Sequence, residues 1–121
     1  MPHVIVEYSA NIEAEITPQR LVEEIHQAAI ASGIAEPVAV RTRLKRREHF
    51  RVGDGSAENA FVHIDIRARK GRTLEQKKAL FKRTAELLGK NPGIRPEDVF
   101  IVIVPSAKEN WSVGNGVAQF A

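Results

Sequence analysis

From Phe61 to Ala68 the chain alternates: Val62, Ile64, Ile66 and Ala68 fall on one side, and His63, Asp65 and Arg67 on the other. A period of two marks a half-buried strand. The run Pro2 to Tyr8 is more compactly apolar and predicts a buried strand. Between them the period changes. Leu21, Val22, Ile25, Ala28 and Ala29 recur at helical spacing after Thr17-Pro18. Thr17 is placed to cap the helix, and Pro18 suits its first position, where a missing N–H costs nothing. Gly33 can take the left-handed closing conformation. A strand is then expected from about Val38 to Leu44, with Phe50 as its furthest end.

The second half follows the same order. Thr73 and Gln76 have the spacing of a capping box, Leu80, Phe81, Thr84, Leu87 and Leu88 make an apolar stripe, and Gly89 closes it. Val99 to Val104 reads as an apolar strand. Pro2 and Val62, His3 and His63, Val4 and Ile64, and Val6 and Ile66 are each 60 residues apart, and the helix signals Thr17 and Thr73 are 56 apart. The pattern predicts one α+β domain over 1–121, a tandem β-α-β pseudo-dimer. Its repeats span approximately 2–50 and 60–105, and a C-terminal hairpin segment, 106–121, carries the turn pair Asn115-Gly116. One such unit has too few strands to bury its helix, so the two should share a four-stranded sheet with both helices on one face. Lys45 to Asn59 would link the halves. Its basic run Lys45-Arg46-Arg47 suits a solvated strand edge, and Gly53-Asp54-Gly55 a turn.

Composition narrows the chemistry. There is no cysteine, hence no disulfide and no thiolate nucleophile, which fits a cytoplasmic setting. No signal peptide or apolar run long enough to span a membrane is read. Eighteen basic and 15 acidic residues give a net charge of +3, with the two signs interleaved. No nucleic-acid or membrane partner is expected from that pattern, whereas a small dianionic substrate suits the modest positive excess. No phosphate loop, Gly-x-Ser-x-Gly or His-Glu-x-x-His motif occurs. His63-x-Asp65 lacks a third ligand at convincing spacing, so no metal site is expected. His3, His26 and His49 read as half-buried or surface side chains.

What remains is Pro2 and the arginines. An N-terminal proline exposed by removal of Met1 is a secondary amine. An ordinary α-amino group titrates at about 7.7–8.0. An apolar pocket and neighbouring guanidinium groups would lower that value and leave a neutral base. Taken alone, Pro2 reads equally as a small residue opening a strand.

The opening Pro2-His3-x-Ile5-Val6-Glu7 with Ser9 and Asn11, the pairs Gly33-Ile34 and Arg41-x-Arg43, and the stretches Ala60-Phe61-Val62-His63 and Gly71-Arg72-x-Leu74-Glu75 resemble the tautomerase superfamily. They resemble most closely the 5-carboxymethyl-2-hydroxymuconate isomerases, over about the first 90 residues. Gly71-Arg72-Thr73 with Glu75-Gln76-Lys77 is also similar to the shorter 4-oxalocrotonate tautomerases, whose tail carries an aromatic residue where Trp111 stands. The resemblance implies a homotrimer with sites near subunit boundaries and a cofactor-free isomerase acting on an unsaturated 2-hydroxy or 2-oxo dicarboxylate. Pro2 would be the acid–base residue. Arg72 would hold one carboxylate, and Arg41 the other together with the carbonyl end. Arg43, Arg69 and Trp111 are further candidates for substrate contact. Val62 and Phe100 stand in the second half where Pro2 and Arg41 stand in the first, so one site per chain is expected. The spacing of Arg69 and Arg72 resembles the cis-3-chloroacrylic acid dehalogenases, which leaves a dehalogenase or decarboxylase-like enzyme as an alternative. A non-catalytic trimer with a blocked amino terminus is another.

Overall fold

Thr17 and Thr73 start the two long helices in the same way. The Thr17 hydroxyl accepts the Arg20 N–H at 3.2 Å, and Thr73 accepts that of Gln76 while the Gln76 side chain returns to the Thr73 N–H. A cap of this kind is worth about 1 kcal/mol. The computed structural model describes residues 2–55, 59–91 and 93–121. In chain order these form β1 (His3–Ser9), α1 (Pro18–Ala31), β2 (Arg41–Arg47), β3 (Val62–Arg69), α2 (Leu74–Leu88) and β4 (Val99–Ser106), with short 3-10 turns between and after them. Among the described residues no helix is long and apolar enough to cross a membrane.

The strands form one sheet in the order β2-β1-β3-β4. The outer pairs are parallel and the central pair antiparallel. Ile5 pairs with Asp65 in the centre, His3 with Arg67 and Glu7 with His63. A shift of 60 residues turns this register into itself, so a pseudo-twofold passes through the Ile5–Asp65 pair. On the outer strands Arg41 lies opposite His3 and Phe100 opposite His63, which makes Arg41 and Phe100 structural equivalents.

Alternation assigns the faces. Val4, Val6, Tyr8, Val62, Ile64 and Ile66 are buried in one cluster with Leu21 and Ile25 of α1 and Leu80 and Leu88 of α2. Both helices therefore cover the same face. The other face carries Arg41, Arg43, Lys45 and Arg47 along β2, His3, Ile5 and Glu7 on β1, and His63, Asp65 and Arg67 on β3. Along β4 it carries Phe100, Val102 and Val104, all exposed.

Three local expectations change. Pro37–Ala39 is a 3-10 turn and β2 begins only at Arg41, ending at Arg47 well short of Phe50. Pro37 fixes its own φ, and the Val40 N–H turns back to its carbonyl. β4 runs on to Ser106. In the tail, Asn115 (φ 59°) and Gly116 (φ 66°) make the expected tight turn, closed by the Val117 N–H on the Gly114 carbonyl. Among the described residues after Ser106, however, no strand forms, so the expected hairpin has a turn without paired arms. The Gln119 side chain accepts from the Val113 N–H and donates to the Gly114 carbonyl, occupying backbone groups that a second arm would have used.

Candidate active site

β1 and β2 both begin at the end of the sheet where β3 and β4 finish. At this end Pro2 is fully buried, and its carbonyl accepts the Arg41 N–H at 3.1 Å. That bond sets Arg41 beside the first residues of the chain. Met1, whose removal would free the Pro2 nitrogen, lies outside the described residues.

On the open face, His3, Arg41 and Trp111 line a cavity of about 350 Å³ with Val38, Ala39 and Ser112. The His3 and Trp111 rings lie 5.9 Å apart, tilted by 31°. Trp111 is steered there by its indole N–H, which donates to the Ser106 hydroxyl at 2.7 Å. Arg43 is brought in through His3: its guanidinium donates to His3 Nδ1 at 3.0 Å. A guanidinium is always a donor, so Nδ1 is the acceptor and the ring proton sits on Nε2. Burial holds the His3 pKa below its ordinary value of 6.5, and the Arg43, Arg41 and Arg67 charges lower it further. His3 is thus neutral at pH 7 and can present one N–H to a bound molecule.

Arg69 and Arg72 stand at the same end of the sheet but line a different, smaller pocket of about 160 Å³, with Lys70, Lys77 and Pro105. The Arg69 guanidinium lies 4.0 Å from the Phe120 ring centroid, a cation–π contact with the tail. Its Nε is buried without a hydrogen-bond partner. Arg72 donates to the Arg69 carbonyl at 2.5 Å and to the Ile34 carbonyl at 2.6 Å. Burial lowers its pKa from the usual arginine range, with Arg69 adding repulsion. Of the candidate residues, the fold therefore places Arg41 and Trp111 at one cavity, with Arg43 joined to it through His3, and Arg69 with Arg72 at a second. Pro2 is buried at the strand end they share. His3 is the residue whose place at the cavity the sequence did not reveal. Its signal was positional, as the side chain facing Arg41 across the β1–β2 ladder. Among the described residues, no three His, Cys, Asp or Glu side chains stand close enough to hold a metal ion.

The arrangement offers guanidinium groups for carboxylates, a neutral imidazole N–H and an aromatic wall. Comparison with known proteins adds to this. The family described as 5-carboxymethyl-2-hydroxymuconate isomerase matches residues 2–91. The chain is 31% identical over 88 residues to the 5-carboxymethyl-2-hydroxymuconate Delta-isomerase of Escherichia coli, covering 73% of this chain and 70% of that protein. It is 43% identical over 58 residues to the probable tautomerase YusQ of Bacillus subtilis (strain 168), covering 48% of this chain. That match spans less than half of YusQ, 46% of its length. Among solved structures, a fused 4-OT described as a wild-type symmetric trimer superposes with a TM-score of 0.81 at 21% identity, over 98% of this chain and 97% of that one.

Proposed function

Because the chain belongs to the 5-carboxymethyl-2-hydroxymuconate isomerase family, we propose that it is a cofactor-free isomerase of an unsaturated 2-hydroxy or 2-oxo dicarboxylate, or of the related tricarboxylate 5-carboxymethyl-2-hydroxymuconate. Pro2 is its general base. The observation that carries this reading is the buried Pro2, bonded through its carbonyl to Arg41 beside the cavity of His3, Arg41 and Trp111.

Once Met1 is removed, the Pro2 nitrogen is a secondary amine. Burial and the adjacent guanidinium groups disfavour its protonated form, so the amine is free to take a proton near neutral pH. It removes one proton from the substrate, whose electrons delocalise toward the 2-oxygen as a dienolate, and returns the proton one conjugated position away. No atom is gained or lost. Arg41 binds one carboxylate and faces the developing charge, with Arg43 behind it, and Arg72 holds the other carboxylate. Trp111 packs on the flat conjugated frame, and the unpartnered Arg69 Nε is a further donor.

Arg41 and Arg72 line separate pockets of one chain. A homotrimer with sites at subunit boundaries completes the reading, and the exposed row Phe100, Val102 and Val104 is the surface a neighbour would cover.

The test compares two forms of the protein, verified by intact mass, in an ultraviolet assay on a 2-hydroxymuconate-type dienol. The form beginning at Pro2 should isomerise it, with a rate rising through one ionisation near neutrality. The form retaining Met1 has an amide at Pro2 and should be silent. Equal rates from both would overturn the role of Pro2. Silence from both, with turnover of a haloacrylate, would replace the isomerase by a dehalogenase.

A further inference from the structure

Each half of the duplicated fold keeps a histidine at the same register, but the two are not equipped alike. His3 and His63 are equivalent across the pseudo-twofold, and so are the neighbouring pairs Ile5–Arg43 and Asp65–Val102. Arg43 thus has Val102 as its counterpart, just as Arg41 has Phe100. The arginine beside the histidine is found at the end of the sheet where Pro2 stands, and an apolar side chain takes its place at the other.

Arg43 acts on His3 in a definite way. It donates to Nδ1 at 3.0 Å and occupies that lone pair, which leaves the ring proton on Nε2. Linked hydrogen bonds polarise one another, so donation into Nδ1 makes the Nε2–H a stronger donor. Burial and the Arg43, Arg41 and Arg67 charges oppose a second proton on the ring. His3 lines the cavity with Arg41 and Trp111, and its ring lies 5.9 Å from that of Trp111. It is also the residue after Pro2, so this donor and the base are neighbours in the chain.

The reaction has a use for such a group. A carboxylate is charged before and after proton transfer, and a guanidinium suits it throughout. The 2-oxygen of a 2-oxo acid is neutral in the ground state and gains charge as the proton leaves. A fixed neutral donor aimed at that oxygen favours the transition state over the bound substrate. An imidazole kept from protonating can polarise a carbonyl in this way.

We propose that His3 is a catalytic residue that donates its Nε2–H to the 2-oxygen of the substrate, and that Arg43 is a positioning residue that fixes the His3 tautomer instead of clamping a carboxylate. The proton stays on Nε2 throughout, and Pro2 alone moves the substrate proton. This deepens the isomerase reading and rests on its 2-oxo dicarboxylate substrate class.

The test uses the form beginning at Pro2 and two ligands, 2-oxoadipate and adipate, which share their carboxylates and differ in the 2-oxygen. Histidine 15N NMR of the unaltered protein should show His3 protonated on Nε2, with that signal moved by 2-oxoadipate more than by adipate. A His3 protonated on Nδ1, or equal shifts with both ligands, would overturn the proposal, as would absence of 2-oxoadipate binding at millimolar ligand. In calorimetry His3→Phe should weaken 2-oxoadipate about threefold to tenfold and leave adipate unchanged. On the dienol its kcat should fall about a hundredfold, and His3→Gln, which keeps an N–H donor, should recover most of the loss. A His3→Phe protein with wild-type kcat would count against the contact. Arg43→Ala should mix the His3 tautomers and lower kcat while KM stays as it is. A raised KM with unchanged kcat would make Arg43 a carboxylate clamp and overturn its positioning role. If the form beginning at Pro2 leaves the dienol untouched, the isomerase reading falls, and the ligand contrast and the tautomer still decide the His3 contact.

Discussion

Arg72 reaches across the duplication to donate to the Ile34 carbonyl at 2.6 Å, joining the start of α2 to the loop that follows α1. The same guanidinium holds the Arg69 carbonyl. A residue that resemblance assigns to a substrate carboxylate is therefore also a brace between the halves. Ile34 itself is buried, so its carbonyl has little water to turn to if the donor is removed.

Arg72→Ala should consequently change two readouts. Loss of a charge-assisted bond to a buried carbonyl costs about 1.5–3 kcal/mol, seen as a fall in Tm of several degrees. If Arg72 also holds substrate, KM for the dicarboxylate should rise about tenfold to a hundredfold. A lower Tm with unchanged KM would leave the brace and remove the clamp.

Arg41→Ala should behave differently. The Arg41 side chain is exposed, and its backbone N–H keeps the bond to Pro2 whatever the side chain. Stability should stay within about 0.5 kcal/mol. The kcat should fall about tenfold to a hundredfold if Arg41 faces the dienolate charge. Wild-type kinetics in this variant would end the assignment.

Tyr8, the only tyrosine of the chain, donates to Glu13 at 2.6 Å. Burial, the hydrogen bond to Glu13 and the Glu13 charge together raise its pKa from 10 to about 12. The folded state therefore binds the phenolic proton more tightly than the unfolded state does. The stabilisation is whole below pH 10 and is lost as pH climbs from 10 through about 12. The tyrosinate absorbance should rise with a midpoint near that upper value, and Tyr8→Phe should lose less stability across the window than wild type. A titration midpoint at 10 would contradict the buried Tyr8–Glu13 pair.

Val102 lies in the middle of the exposed apolar row, paired with Asp65, one of whose carboxylate oxygens is buried without a partner. Val102→Asp would set a second carboxylate beside it. Light scattering at micromolar concentration should show a trimer for the wild type and a monomer for this variant, with the far-ultraviolet spectrum retained. A wild-type monomer would exclude the trimer.

Much of this architecture was legible because local rules and global packing agree. Thr17, Thr73 and Gln76 announce helix starts through contacts only three residues long. The alternation around Ile64 and Ile66 names the core face directly. The spacing of His3 and His63 already contained the pseudo-twofold. What the sequence did not yield depends on contacts far apart in the chain. The Ile34 carbonyl that engages Arg72 is 38 residues away, and no periodicity marks it. His3 looked like an ordinary half-buried histidine until the ladder set it opposite Arg41 and the tail brought Trp111 over it. The tail itself misled because Asn115-Gly116 specifies a turn, while Gln119 takes the groups that would have made the arms.

The open face of the sheet is basic along β2 and oily along β4, and only a fused chain can be lopsided in this way. Two separate identical halves would carry the same residues on both margins, so any change to one would be copied to the other. Covalent linkage releases that constraint. The resulting face has a left and a right: copies meeting by a twofold would set like margins together, whereas copies arranged head to tail would set the oily margin of each against the basic margin of the next. Duplication thus supplied polarity along with size, and a polar face can meet a copy of itself head to tail.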